Sequence, residues 1–193
     1  MIAATTYGWR TRGPHAPYAA FPSWTQPRIS ATIFLGLPVD RQTRRHALAA
    51  AAIFAAVFLL LARFHMGRLV LNIDEGILLD AAERMAHGQR LYVDFFAYLA
   101  PGSFWLQELA FRVFGVTLAA AQLIVCVDFS VQCAVVFWLM ARLGHPYAGV
   151  LTVAVMLGLE ASNPVLLSPS HRWDSAALAL LSVACGLEGH LGG

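Results

Sequence analysis

The stretch Ala47–Ala62, ALAAAAIFAAVFLLLA, decides what kind of protein this is. It contains no charge, no proline and no polar side chain. With His46 and Arg63-Phe64 at its ends it approaches the roughly 20 residues needed to cross the hydrocarbon core of a bilayer. Arg41, Arg44 and Arg45 stand immediately before it, and the arginine enrichment of cytoplasmic flanks assigns the amino terminus to the cytoplasm. The loop that follows is therefore expected on the external face of the membrane.

The whole composition agrees with that stretch. Of 193 residues 59% are hydrophobic and 12% charged, a balance too apolar for an ordinary soluble domain. All 13 basic residues are arginine and the net charge is only +2, so no polybasic surface exists and no nucleic-acid partner is expected. Cys126, Cys133 and Cys185 lie in apolar runs without CxxC spacing and read as packed hydrophobes. Residues 1–45, with Pro14, Pro17, Pro22, Pro27 and Pro38, read as a poorly ordered cytoplasmic extension, or equally as a stretch upstream of a misassigned start codon.

Further spans are expected at about 116–141, 147–163 and 175–190, after the first at 46–65. Arg142, Gly144, His145 and Pro146 form a tight cytoplasmic turn. The apolar heart of the last span, Ala176 to Leu187, is short for a crossing, so the chain reads as stopping within a larger architecture. The expected fold is all-α: a polytopic transmembrane bundle of three to four spans, in a partial domain at 46–193. Its localisation is a cell (inner) membrane.

The external loop, about 66–115, is patterned. Ile73, Ile77, Ala81 and Met85 recur every four residues and predict an amphipathic helix from about Glu75 to His87. Asp74 is placed to cap it and Gly88 to end it. A second helix is predicted from Pro101, a residue favoured at the first helical position, to about Phe114, with Gly115 as a break. Both are expected at the membrane surface, where Tyr92, Tyr98, Phe104 and Trp105 fit an interfacial aromatic belt.

The order of a span, Asp74-Glu75-Gly76, an amphipathic helix, Gly88-Gln89-Arg90-Leu91-Tyr92-Val93-Asp94-Phe95-Phe96 and Ala100-Pro101-Gly102-Ser103 resembles the amino-terminal part of membrane glycosyltransferases of the GT-C fold. The likeness is to bacterial relatives of the dolichyl-phosphate-mannose protein mannosyltransferases and of the aminoarabinose transferase of lipid A. It covers about residues 46–185 and is most specific over 72–103. The resemblance implies an enzyme that takes a sugar from a polyprenyl-phosphate donor and delivers it to a lipid, glycan or protein acceptor. It also implies that an acidic residue of the first external loop, Asp74 or Glu75, is the catalytic base, and that further spans and a soluble domain follow.

Chemistry supplies a role for each candidate and a plainer alternative beside it. A base must take the acceptor's proton as its oxygen attacks the anomeric carbon, and a carboxylate whose pKa is raised by burial can do so. Asp74 equally suits a simple N-cap, and Glu75 a first-turn acid favoured by the helix dipole. Arg90, Tyr92, Asp94, His171 and Arg172 are candidates for substrate binding, the arginines because guanidinium grips phosphate in a bidentate fork. Arg90 also reads as a snorkelling arginine and Asp94 as an exposed loop acid. No metal-ligand spacing is present, and no metal or cofactor is expected.

Asp128, in the second span, is costly in hydrocarbon and raises a functional question by itself. Its plain reading is a hydrogen bond to neighbours such as Ser130 or Gln132, while Gln122 and Gln132 predict a helix-packed face. Asp128, Glu160 and the Pro164 break also motivate a transporter or channel component as the alternative to an enzyme. A noncatalytic membrane scaffold is the third possibility.

Overall fold

The computed structural model describes residues 41–67, 73–162 and 167–191. Six helices account for nearly all of them: α1 (Arg41–Phe64), α2 (Ile73–Ala86), α3 (Pro101–Phe114), α4 (Leu118–Arg142), α5 (Pro146–Ser162) and α6 (His171–Leu191). The protein is all-α. Among the described residues the only extended pairing is a single bridge between Leu91 and Phe95.

Two helices, α1 with 24 residues and α4 with 25, are long and apolar enough to cross a membrane. At 1.5 Å per residue each is about 36 Å long, more than a hydrocarbon core needs. Helix α5 is apolar but shorter, at 17 residues. Helix α6 has 21 residues and carries Asp174 and Glu188 within an otherwise apolar run.

Helix α4 is the axis of the bundle, packed by α1, α3, α5 and α6. It starts sharply because Thr117 is extended and its hydroxyl accepts the Ala120 N–H at 3.2 Å, satisfying one of the orphan donors of a helix start. Just before it, Gly115 at φ 81° ends α3 in a conformation that favours glycine. Val125, Cys126, Phe129, Cys133, Phe137 and Ala141 form one buried stripe of α4 that meets Ala50, Val57 and Leu61 of α1 and Val153 of α5.

Polar contacts fix the helix directions. At one end the Arg142 guanidinium donates to Thr43 of α1 at 2.9 Å and to Glu188 of α6 at 2.5 Å. At the other, the Gly67 N–H donates to the Gln122 side-chain carbonyl at 2.6 Å, so α1 and α4 run antiparallel. Helix α6 is parallel to α4, because its start lies by Gln132 and its end by Arg142.

The contact between α4 and α5 is close because of Gly149. A Cβ there would come within 3.1 Å of Met140 Cβ and the Phe137 ring and 3.2 Å from the Phe137 backbone. Small residues let helix backbones approach in this way. Gly149→Leu is expected to cost about 1–3 kcal/mol of stability through overpacking. A denaturation midpoint in detergent equal to wild type would show that α5 does not sit this tightly on α4.

Several expectations shift. The first helix begins at Arg41, so residues 41–45 are helical, while residues 1–40 of the expected extension lie outside the described residues. Helix α6 starts at His171, not Ala176, because His171-Arg172-Trp173-Asp174 form its first turn. Helix α2 starts at Ile73, which puts Asp74 in the first turn instead of at the cap; the Asp74 side chain lies outside the described residues. The buried face of α2 is Glu75, Leu78, Ala81, Ala82 and Met85, whereas Ile77 is exposed. Cys126 and Cys133 are buried, but Cys185 is exposed. The Pro164 break lies outside the described residues.

Candidate functional site

The end of the bundle remote from Arg142 is polar inside. The segment Leu167–Ser170, which leads into α6, is buried at all four positions, unlike most connections, which run over a protein's surface. His65, buried at the end of α1 and 102 residues away, meets the Leu167 carbonyl through Nε2 at 2.9 Å. Gln132 of α4 donates to the Trp173 carbonyl at 3.2 Å, and the Trp173 ring packs edge-on against Phe129 with centroids 5.6 Å apart. A connection that carries its own polar backbone into a bundle needs such partners.

This segment closes a narrow crevice where α2, α3, α4 and α6 meet. Leu78, Ser103, Gln107, Val125, Ser170 and Asp174 line it. Asp174 is buried and stands near enough to Asp128 for the two carboxyls to interact. Asp128 therefore faces an acid on a neighbouring helix, while Ser130 donates to the Cys126 carbonyl at 2.6 Å and Gln132 to the Trp173 carbonyl.

Five buried side-chain atoms have no hydrogen-bond partner among the described residues: His46 Nδ1, Glu75 Oε2, Gln107 Nε2, Asp128 Oδ2 and Glu160 Oε2, and of these residues Gln107 lines the crevice. Buried polar atoms are nearly always paired, so each marks a place that packing alone does not explain. Glu75 lies one helical turn before Leu78 on the buried face of α2. It is 6% exposed, and burial pushes its carboxyl above the usual glutamate range. Gln107 is 1% exposed.

The other candidates divide. His171 and Arg172 open α6 beside Ser170 and Asp174, with His171 half-buried, Arg172 exposed and the Arg172 N–H donating to Ser170 Oγ at 3.4 Å. Arg90, Tyr92 and Asp94 lie in the loop that follows α2. Arg90 and Asp94 are paired at 3.3 Å, and the Arg90 hydrogen bonds hold the exposed Asp94 carboxyl below its usual range. Arg90 and Tyr92 line a recess of their own, and Glu75 is not among its walls.

Sequence reasoning passed over Ser103, Gln107 and Asp174. A signal for the first two was present, since Ser103, Phe104, Gln107, Ala110 and Phe111 share one helical stripe, in which two polar residues interrupt an apolar face. Comparison with known proteins finds no family model, curated protein or solved structure that matches the chain.

Proposed function

We propose that this chain belongs to a membrane enzyme of the GT-C type that moves a sugar from a polyprenyl-phosphate donor to a lipid, glycan or protein acceptor. In this reading α1, α4, α5 and α6 span an inner membrane with the amino terminus in the cytoplasm, and α2 and α3 lie on its external surface. The support for this orientation is charge: Arg41, Arg44, Arg45 and Arg142 gather at one end of the bundle, the pattern of a cytoplasmic face. The row Leu106, Leu109 and Val113 on α3 is exposed, as a helix resting on lipid requires.

The observation that carries the catalytic part is the buried, unpaired carboxylate of Glu75 at the opposite end, next to Asp74. As base, Glu75 takes the proton of the acceptor hydroxyl while the acceptor oxygen forms a bond to the anomeric carbon. The bond from that carbon to the phosphate oxygen breaks, and polyprenyl phosphate leaves with the electron pair. A carboxylate in this role contributes about 10²–10⁴-fold to rate.

The test is transfer of radiolabelled hexose from polyprenyl-phosphate hexose to membrane acceptors, in vesicles containing the chain, its Glu75→Gln variant or its Asp74→Asn variant. Transfer that depends on one of the two acids is expected. Transfer that is absent, or that survives both substitutions, removes the reading.

One observation favours a second reading. Asp128 and Asp174 set two acids facing each other between apolar helices, and carboxylates in such positions mark solute and proton pathways. A transporter would show solute uptake lost in Asp128→Asn with no sugar transfer at all.

A further inference from the structure

A second recess lies away from Glu75, between the end of α2 and the outer side of α3. Its volume is about 530 Å³, enough for a sugar ring, and Arg90, Tyr92, Trp105, Glu108 and Arg112 shape it. We propose that this cleft binds a neutral sugar ring belonging to an extended glycan acceptor. The proposal rests on the transferase reading for the role of that glycan, and on the cleft itself for its chemistry.

The charge pattern selects against a phosphate. Both arginines are already held by acids: Arg112 meets Glu108 at 2.7 Å, and Arg90 meets Asp94. An anion would have to displace these carboxylates and would meet their repulsion. A neutral polyol meets none, because ion pairs offer fixed N–H donors and carboxylate acceptors together, the mixture that ring hydroxyls satisfy. Arg112 is further positioned by its contact with the Met85 carbonyl at 3.4 Å, which anchors it to the last turn of α2.

The aromatic residues point the same way. Tyr92 is 50% and Trp105 58% exposed, although large aromatic rings are usually buried. Their faces are free to stack on the C–H face of a sugar, which is apolar on one side and hydroxylated at its rim.

The wall that carries Tyr92 is built to hold still. Tyr92 has φ 64°, the only non-glycine residue among those described with a positive φ. Bulky residues adopt that conformation only when their surroundings enforce it, and such positions gather at ligand clamps. Here the Tyr92 hydroxyl donates to the Leu99 carbonyl, the Val93 and Asp94 N–H groups donate to the Arg90 carbonyl, and Leu91 bridges to Phe95. A preformed wall lowers the ordering cost of binding.

Glu75 is not among the residues that line the cleft, so the ring held here is a different one from the ring that reacts, in the same acceptor.

The experiment is binding of the full chain, in phosphatidylcholine nanodiscs, to an immobilised panel of neutral hexose, pentose and N-acetylated aminosugar oligosaccharides, with phosphorylated and sialylated glycans beside them. Saturable binding to at least one neutral glycan is expected, weakened about ten-fold by Trp105→Ala and by Glu108→Gln. Both side chains lie at the surface of the recess, and unchanged melting of each variant verifies that the fold is kept. Failure of every neutral glycan, preference for charged ones, or binding indifferent to both substitutions overturns the proposal. Binding is read without turnover, so its failure beside intact sugar transfer removes only this cleft, and glycan binding without transfer removes only the transferase.

Discussion

On the proposed transferase reading, Glu75→Gln is expected to reduce sugar transfer by about 10²–10⁴-fold while leaving donor binding close to wild type. Glutamine keeps the shape and hydrogen-bonding reach of the side chain and removes only its ability to take a proton. The measurement is single-turnover transfer together with direct binding of polyprenyl-phosphate hexose. A variant that loses binding and rate together would mean that Glu75 holds the donor and is not the base.

The same carboxylate sets a pH signature. Burial raises its pKa, so the acid limb of the rate profile should lie above the usual glutamate range, with activity falling as pH drops through it. Stability should move the other way. A group whose folded-state pKa exceeds its unfolded value contributes fully below the unfolded value, about 4.3, and that contribution is lost as pH rises through the folded value. Glu75→Gln is therefore expected to melt above wild type at neutral pH, with the difference closing as pH falls towards 4. A gap that widens on acidification would contradict the burial argument.

Phe129→Ala should have the largest effect on stability, about 3–5 kcal/mol. Phe129 is 1% exposed at the middle of α4 and forms the edge-on contact with Trp173. In a bilayer little of that cost comes from water, because the alternative solvent is also apolar; it comes from the contacts a cavity forfeits. The loss should reach function as well, since Trp173 adjoins Asp174 and the first turn of α6 closes the crevice. Denaturant titration in detergent and the transfer assay test both parts. A near-wild-type midpoint would mean that α6 does not lean on α4 at this point.

The fold was legible where a signal is local. The uncharged run in α1 and the similar run in α4 announce themselves by length alone, and Pro101 and Gly115 mark the limits of α3. The buried face of α2 was not legible in full, because Ile77 and Leu78 are equally apolar and only the partners Phe104 and Ala97 decide which turns inward. Leu167–Ser170 reads as a surface loop from its proline and serines. Its burial depends on His65 being supplied by a distant helix, with Gln132 holding Trp173 just beyond it, which no local pattern records.

The site was legible in the same uneven way. An acidic pair at the start of a helix drew attention to Asp74 and Glu75, but the burial of Glu75 is decided by the packing of α2, chiefly on α3. His171-Arg172-Trp173-Asp174 read as the loop before the last span, whereas it forms the first turn of α6, where Asp174 faces Asp128. Arg90 and Tyr92 were read as substrate-binding candidates beside Asp74 and Glu75, and they line a recess that Glu75 does not reach into.

Arg142 gives the bundle an order of assembly. Its two partners are Thr43, made long before it, and Glu188, made 46 residues after it. During synthesis α1 and α4 can pair as soon as both exist, yet the guanidinium between them stays half satisfied until α6 arrives. The far end of α6 thus acts as a latch, and a ribosome halted before Glu188 leaves a helix pair whose open arginine still faces the place its partner should fill.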